Sequence, residues 1–404
     1  MYYGLDVHKD FIQVCHLSPD GRQRQDFPIR ATAEAIETFA RRLTRKDQVA
    51  LEVTFHTWTI HSLLVPHAGR VVAVNATQVK AIASAKIKTD KVDAHTLAQL
   101  LRADFLPAVQ MPSSQTWALR QLVSHRRLLL KQQTATKNTI HAIFNRRLIH
   151  LPQGWTPFAQ KTRCWMRERS LPPAEHFMLH NSLDLLEQIE TRVDKVDEQL
   201  LQQARISESA KLLMTIPGID VTVAIGFLAA IDDVQRFPTP QKLASYFGLV
   251  PRIRQSANRC YHGGITKTGN CTARSLAIEA AQVLARSSSP LATIYYRVRY
   301  KRGHNVAVTA LARKLIHVVW HLLSRREPYR YAPIPRTRTK LLKLKTCRVR
   351  ARSVPQTLDA VYHEAGLPPF SLASPGERRA AANSRRTRTR LANAAGKLSK
   401  TRKM

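Results

Sequence analysis

The sequence is poor in acidic residues and has no long apolar run. Among its 404 residues, 28 are Asp or Glu and 64 are Lys or Arg, which leaves a net charge of +36. So large a positive excess calls for a polyanionic partner, most often a nucleic acid. The longest apolar stretch, residues 223–231, is far shorter than the roughly 18 residues that a membrane span needs. No transmembrane helix and no membrane partner are expected.

Cysteine and nucleotide-binding motifs are also scarce. The five cysteines are widely scattered, and Cys260, His262 and Cys271 lack the CxxC pairing and the fourth ligand of a zinc site. The first residues, MYYGLDVHKD, carry charges where a signal peptide would be apolar. No GxxxxGK[ST] motif occurs, so an ATPase is not expected. These absences predict a cytoplasmic protein with reduced thiols.

Five short segments in the first hundred residues have the length and β-branched content of strands. They are YYGLDVH, FIQVCHL, RQDFPI, QVALEVT and RVVAVN, and between the third and fourth lies ATAEAIETFARRL, whose apolar spacing is helical. Three strands joined by tight turns, followed by alternating strands and helices, predict a mixed α/β sheet. We therefore expect residues 1–110 to form an α/β domain.

Residues 111–205 have the pattern of two long helices. The first extends from about Ser113 until Pro152 interrupts it. In the second, the apolar residues approximate a heptad repeat; they are Leu183, Leu186, Ile189, Val193, Val196 and Leu200. Two structures fit this spacing equally well, an ordinary helical hairpin and a coiled-coil arm through which the protein self-associates.

The remainder of the chain is predicted to be mainly helical. Residues 206–330 contain helical stretches on either side of a loop-rich segment, SYFGLVPRIRQSANRCYHGGITKTGN. From Arg336 to the end there are 18 lysines and arginines against three acidic residues. We expect the tail, residues 331–404, to be disordered when alone, either as a nucleic-acid-binding arm or as a solvated extension.

Four carboxylates occupy positions that suit metal binding. Asp6 and Glu52 each lie in an apolar predicted strand, where a charge requires a partner. Asp90 and Asp93 are three residues apart, on one face at the start of a predicted helix. Carboxylate oxygens are the ligands that Mg²⁺ or Mn²⁺ prefers, and such ions support phosphoryl transfer. Taken singly, each residue also fits a structural role, as a helix cap or an ion-pair partner.

Two segments of the second half are suited to bind nucleic acid. TIPGID followed by VTVAIGFLAAI has the form of a helix-hairpin-helix, in which Gly218 makes the turn and the next helix offers N–H groups to a phosphate. Ser256 lies in RIRQSANRCYHGG, surrounded by Arg252, Arg254 and Arg259. A serine hydroxyl can attack a phosphodiester when positive charge stabilises the transition state. A plain helical turn and an ordinary loop serine are the alternatives.

Taken in order, several motifs resemble the insertion-sequence-110 family of bacterial transposases. They are GLDVHK, LEVT, KTDKVDA, TIPGI, FGLVP, the Arg-flanked serine segment, GGITKTGN and ALARKLIHVVW, and they extend from Met1 to about Arg325. The resemblance implies an N-terminal RuvC-like domain of the ribonuclease-H-like fold, a helical coiled-coil middle region and a mainly helical C-terminal transposase domain.

The resemblance also implies the site residues and the partners. Matched motif by motif, an Asp-Glu-Asp-Asp metal tetrad falls on Asp6, Glu52, Asp90 and Asp93. The serine nucleophile falls on Ser256, and Lys267 of GGITKTGN joins the expected nucleic-acid contacts. The implied partners are Mg²⁺ or Mn²⁺, donor and target DNA, a noncoding bridge RNA and further copies of the chain, as a dimer or tetramer, at the nucleoid of a bacterial cytoplasm.

Two other functions remain compatible with these residues. A junction-resolving nuclease would use the four carboxylates to activate water and would not need Ser256. A catalytically inert nucleic-acid-binding protein could keep the fold of a transposase ancestor. Ser256 favours the recombinase over the nuclease, and the serine together with the carboxylates favours it over the inert protein.

Overall fold

The computed structural model describes residues 1–83, 89–256, 259–345 and 357–369, together with residue 386. The chain divides into two compact units, Met1–Pro112 and Ser113–Met404. The first unit ends close to the end of the predicted α/β domain. The long middle helices and the C-terminal helices belong to one unit.

The first unit is a mixed sheet with helices, as predicted. Its strands are β1 (Tyr2–Val7), β2 (Phe11–Leu17), β3 (Arg24–Arg30), β4 (Gln48–Glu52), β5 (Arg70–Val74) and β6 (Ala108–Val109). Its helices are α1 (Ala33–Ala40), α2 (Thr57–Leu64), α3 (Ala76–Ile82) and α4 (Asp90–Arg102). All five strands expected from the sequence are confirmed.

The strand order of the sheet is β3-β2-β1-β4-β5-β6. β1, β2 and β3 form antiparallel pairs, β1 pairs with β4 and β4 with β5 in parallel, and β6 is antiparallel to β5. A three-stranded antiparallel meander continued by parallel strands is consistent with the predicted ribonuclease-H-like fold.

The two faces of the sheet bury different residues. Leu5 and Leu51 belong to an apolar cluster with side chains of α1 and α2. Ala50 and Val72 pack with Leu97 on the other face, which α4 covers. Because side chains alternate along a strand, residues at even positions of β1 and β4 face α4.

Gly4 lets α4 lie directly on β1. A Cβ atom at this position would be 2.0 Å from the carbonyl oxygen of Ala94 and 2.6 Å from the nitrogen of Ala98. Since both are backbone atoms of α4, no side-chain rotation could relieve the contact. The glycine of GLDVHK is therefore required for the close approach that brings the start of α4 toward the end of β1.

Replacing Gly4 with alanine is expected to push α4 off the sheet. Overpacking of this kind destabilises by about 3 kcal/mol, so amides of α4 should exchange about two powers of ten faster than in the wild type. Hydrogen exchange with mass spectrometry measures this. The control is Gly264→Ala, because an added Cβ at Gly264 meets nothing within 4 Å. Unchanged protection of α4 in Gly4→Ala would contradict the packing argument.

The second unit is mainly helical. Its elements are α5 (Ser114–Arg146), α6 (Gln160–Arg167), α7 (Pro173–Ile206), α8 (Glu208–Met214), α9 (Val221–Ile231), a 3-10 helix (Val234–Arg236), α10 (Pro240–Tyr246), β7 (Pro251–Ser256), β8 (Arg259–Ile265), α11 (Cys271–Ala285), α12 (Ala292–Arg302), α13 (His304–Arg325), α14 (Ile334–Leu342) and α15 (Leu358–Glu364). Within the described ranges, α13 alone is long and apolar enough to cross a membrane, and half of its most apolar window is buried in the unit.

The long helices α5 and α7 pack against each other within the chain. The residues of α7 in the predicted heptad are all buried; they are Leu183, Leu186, Ile189, Val193, Val196 and Leu200. Arg126 of α5 forms a bidentate ion pair with Asp197 of α7. Because its apolar stripe is buried inside one chain, α7 fits the helical hairpin, and the stripe no longer argues for self-association.

The segment expected to be loop-rich contains an antiparallel ribbon. β7 and β8 pair from Pro251 opposite Ile265 to Ser256 opposite Arg259, with a register shift near Pro251. The ribbon was not predicted because it buries neither face, so its sequence lacks the apolar alternation that identifies a half-buried strand.

The predicted disorder of the tail does not extend to α14 and α15. Arg338 of α14 forms a bidentate ion pair with Glu364 of α15, with nitrogen–oxygen distances of 2.9 and 3.2 Å. Tyr362 is fully buried, and its hydroxyl donates to the carbonyl oxygen of Tyr329 at 2.6 Å. The rest of the predicted tail, residues 346–356 and 370–404 apart from Arg386, lies outside the described residues.

Lys340 attaches α14 to the turn between α8 and α9. Its Nζ donates to the carbonyl oxygens of Ile216 at 2.8 Å and Ile219 at 2.9 Å. Burial lowers the pKa of Lys340 to about 8. An unfolded lysine titrates near ~10.4, so between these two values the unfolded chain binds more protons than the folded one.

The stability difference between wild type and Lys340→Met should therefore depend on pH. From about pH 8 to 10, the wild type should gain stability relative to the variant by about 1 kcal/mol per pH unit, because folding no longer buries a charged amine. Below that range the difference should be constant. Urea unfolding of both proteins from pH 7 to 10 tests this, since other titrating groups cancel in the difference. A difference independent of pH would contradict it.

Candidate active site

Asp6 and Glu52 are neighbours on the sheet. In the parallel register Leu5 lies opposite Leu51, so the next residue of each strand, Asp6 and Glu52, ends up on the face that α4 covers. Asp6 is only 8% exposed. The fold thus places one carboxylate at the end of each of two adjacent parallel strands.

The start of α4 adds two more carboxylates. Thr89 is the N-cap, and its side chain accepts a hydrogen bond from the N–H of Val92. Asp90 and Asp93 both lie in the first turn. Because Thr89 already caps the helix, neither aspartate is needed for that role, although both interact favourably with the helix dipole.

His8, which directly follows β1, contacts one carboxylate of β1 and one of α4. Its Nε2 lies 3.0 Å from Oδ2 of Asp6 and 3.4 Å from Oδ1 of Asp90. The ligand atoms of Asp6, His8 and Asp90 all lie within 4.8 Å of one another. The structure therefore brings two of the four predicted metal ligands together and adds a histidine that sequence reasoning missed. The sequence feature that could have identified His8 is its position two residues after Asp6, because side chains two residues apart lie on the same side of an extended chain.

The charge of Asp93 also acts on Asp6. Burial raises the pKa of the Asp6 carboxyl, the charge of His8 and its hydrogen bond oppose the rise, and nearby Asp93 and Asp90 add to it. A carboxylate that is buried and crowded by like charges is unfavourable as an anion. A divalent cation would relieve this repulsion, and the oxygen-rich donor set fits Mg²⁺ or Mn²⁺.

Ser256 belongs to the second unit, at the end of β7. Register and alternation place four residues on one face of the ribbon, in cross-strand pairs of Arg254 with Tyr261 and Ser256 with Arg259. All four are exposed. Arg252 lies at the register shift, and its guanidinium donates to the carbonyl oxygen of Thr266 at 3.2 Å. The hydroxyl of Ser256 thus shares a surface with two guanidinium groups, which suits binding of a phosphodiester. Tyr261, 63% exposed, is a further member that sequence reasoning missed.

The other two predicted nucleic-acid contacts lie elsewhere in the second unit. Gly218 has a φ of +90°, and a Cβ there would be 2.4 Å from the carbonyl oxygen of Ala280, so its absence of a side chain is needed for packing on α11. Asp220 caps α9 by accepting from the N–H of Val223 at 3.1 Å, which occupies one of the N–H groups expected to bind phosphate. Lys267 is exposed in the loop after β8.

Comparison with known proteins gives matches in both halves of the chain. Residues 3–147 match a family model for transposases of the DEDD type of IS110, and residues 210–297 match the model described as transposase, IS116/IS110/IS902 family. Together the two matches cover more than half of the chain.

Similar curated proteins include transposases and a gene-inverting protein. The transposase for insertion sequence element IS1111A of Coxiella burnetii is 26% identical over 249 residues, which is 60% of this chain and 68% of that protein. A probable family 20 transposase of Pseudomonas aeruginosa is 27% identical over 254 residues, 60% of this chain and 75% of that protein. The pilin gene-inverting protein of Moraxella bovis is 22% identical over 363 residues, 81% of this chain and 97% of that protein.

These matches confirm the resemblance found in the sequence motifs. The carboxylate cluster on the mixed sheet lies inside the region of the first family match, and the serine ribbon lies inside the second. The chain belongs to the IS110 family of transposases.

Proposed function

We propose that this protein is a recombinase of a bacterial insertion sequence, which cuts and rejoins DNA through a covalent phosphoserine intermediate. The observation that carries the proposal is the convergence of Asp6, Asp90 and His8, with Asp93 near enough to raise the pKa of Asp6. Family membership supplies the substrate class, DNA. The positive excess of 36 charges supports binding to nucleic acid.

The carboxylates are proposed to hold one or two divalent cations. Asp6, Glu52, Asp90 and Asp93 would provide oxygen ligands, and His8 either provides a nitrogen ligand or moves aside. A bound Mg²⁺ or Mn²⁺ supplies charge stabilisation at a reacting phosphate. In the absence of a cation, His8 partly offsets the repulsion by its hydrogen bond to Asp6.

Ser256 is proposed to be the nucleophile. Its Oγ attacks the scissile phosphorus, the new Oγ–P bond replaces the bond from phosphorus to one sugar oxygen, and the serine proton ends on that departing oxygen. Arg254 and Arg259 share its face of the ribbon and, with Arg252 of the same strand, stabilise the added negative charge. Because a phosphodiester replaces a phosphodiester, the reverse attack by another strand needs no external energy source. A junction-resolving nuclease would instead transfer the phosphate to water.

The resemblance extends the proposal to a noncoding bridge RNA that pairs with donor and target DNA, and to a dimer or tetramer as the active assembly. Sequencing RNA that copurifies with the protein tests the first part. Enrichment of one structured RNA encoded beside the gene is expected. Recovery of unselected cellular RNA would contradict it.

Metal binding is tested without activity by thermal stability in Mn²⁺. The melting temperature of the wild type should rise with Mn²⁺ concentration, because a ligand that binds the folded state alone stabilises it. Asp6→Asn should lose most of this rise. The matched control is Asp10→Asn, since Asp10 is an exposed acid four positions away. An equal rise in the wild type and Asp6→Asn would contradict a metal site at Asp6.

A further inference from the structure

The corner between α12 and α13 is an exposed, strongly basic surface that the proposed site does not use. Four cations lie in the last turns of α12: Arg297, Arg299, Lys301 and Arg302. Every residue from 299 to 306 is exposed. We name residues 297–306 the basic corner.

Among the described residues, no acid pairs with the basic corner. The sequence has no Asp or Glu between Glu279 and Glu327, a stretch that contains all of α12 and α13. In the part of the chain that the structure describes, none of the four cations forms an ion pair. The first turn of α13 also lacks an acidic residue and a side-chain cap. The C-terminal dipole of α12 offsets only part of the repulsion among four neighbouring cations, so the surface is suited to an anion.

The basic corner is held in a defined shape. Gly303 makes the turn with a φ of +81°, and its N–H donates to the carbonyl oxygen of Arg299 at 3.0 Å. The hydroxyl of Tyr295, a buried residue of α12, lies 2.8 Å from Nδ1 of His304 at the start of α13. The guanidinium of Arg299 lies over the ring of Tyr295, 5.8 Å from its centroid. These contacts fix the two helix ends, so less entropy is lost when a ligand binds.

An aromatic side chain lies among the cations. Tyr300 is 67% exposed, and its neighbours in the sequence are Arg299 and Lys301. Exposed aromatics flanked by cations are typical of surfaces that bind single strands, where the ring stacks on a base and the cations contact phosphates. A duplex would satisfy the cations but offer no base face to Tyr300.

We propose that the basic corner binds a single-stranded segment of nucleic acid, with Tyr300 stacked on a base and with Lys301 and Arg302 on phosphates. The proposal rests on the proposed function only for the expectation that the protein meets nucleic acid. It needs neither the carboxylate cluster nor Ser256. Single strands arise both as RNA loops and as DNA separated during strand exchange, and the chemistry of recognition is shared.

The test measures binding of fluorescein-labelled 20-nucleotide single-stranded DNA, single-stranded RNA of the same sequence and duplex DNA, by anisotropy at several KCl concentrations. All measurements are made in EDTA without divalent metal, so no strand is cut whichever group is the nucleophile. The variants are Lys301→Gln with Arg302→Gln, Tyr300→Ala and Tyr300→Phe. The control for charge is Arg42→Gln with Lys46→Gln, two exposed cations of the first unit.

The double variant Lys301→Gln, Arg302→Gln loses two phosphate contacts. On single strands, its negative slope of log affinity against log salt should therefore become shallower by about 1.4, at about 0.7 per contact. Tyr300→Ala should weaken single-strand binding about tenfold with little change in the salt slope. Tyr300→Phe keeps the ring and should bind single strands as tightly as Tyr300 does. Comparison of the DNA and RNA arms identifies which strand is preferred. A change no larger than that of the control, or Tyr300→Phe as weak as Tyr300→Ala, would overturn the proposal. Equal losses on duplex and single strands would overturn the single-strand assignment.

Discussion

Alanine at Asp6 is expected to abolish DNA cleavage, by at least about three powers of ten, while nucleic-acid binding stays close to that of the wild type. Asp6 is the buried member of the cluster, and its Oδ2 lies 3.0 Å from Nε2 of His8. Removing it takes away a ligand for the cation that stabilises charge at the phosphate. Binding should persist, because the many surface cations that supply it are untouched. Cleavage of a labelled substrate in excess Mg²⁺ measures the loss.

A role in metal binding also predicts an unusual effect on stability. Because burial, Asp93 and Asp90 raise the pKa of Asp6, its ionised form is less favourable in the folded than in the unfolded state at neutral pH. Without divalent metal, Asp6→Asn should therefore melt at the same temperature as the wild type or higher. The exposed control, Asp10→Asn, should cleave DNA at the rate of the wild type. A lower melting temperature of Asp6→Asn, together with loss of nucleic-acid binding, would indicate a structural role and contradict the prediction.

The first unit could be predicted from sequence because most of its strands are short apolar runs, rich in β-branched residues, that the sheet buries on both faces. Val14 and Leu51 are fully buried in two of these runs, and each predicted strand has a counterpart. The proximity of Asp90 to Asp6 could not be read from periodicity alone. It depends on Gly4, whose missing Cβ allows contact with the backbone of Ala94.

In the second unit, the strands and helices of the most basic segments were not predicted. β7 and β8 carry arginines on an exposed ribbon, so no apolar pattern identified them. α14 belongs to a segment so basic that composition favoured disorder, yet Lys340 and Arg338 are satisfied by carbonyl oxygens and by Glu364. A pattern of charge alone does not show whether long side chains point to solvent or reach a distant partner. His8 was missed although its spacing from Asp6 carried a signal, and Tyr261 was missed because it lies on the ribbon that was not predicted.

Alanine at Ser256 is expected to remove a covalent protein–DNA adduct and to lower cleavage by several powers of ten, while folding and RNA binding remain. Ser256 is exposed at the end of β7, so losing its hydroxyl should leave the packing unchanged. The rate should fall steeply, because phosphoryl transfer depends on the position of the attacking oxygen beside stabilising charge. A reaction stopped midway with denaturant should show wild-type protein joined to labelled DNA on a denaturing gel. Ser256→Cys should retain weak activity, since a thiol is also nucleophilic.

Two controls separate Ser256 from other hydroxyls. Ser275→Ala changes an exposed serine of α11 and should leave both adduct and cleavage intact. Tyr261→Phe removes the other hydroxyl on the same face of the ribbon, so its adduct should persist if Ser256 is the nucleophile. A nuclease that activates water predicts the opposite pattern, with no adduct at any time and with Ser256→Ala nearly as active as the parent. Cleavage by Ser256→Ala within about tenfold of the wild type would exclude Ser256 from the reaction, because loss of the attacking oxygen should cost several powers of ten.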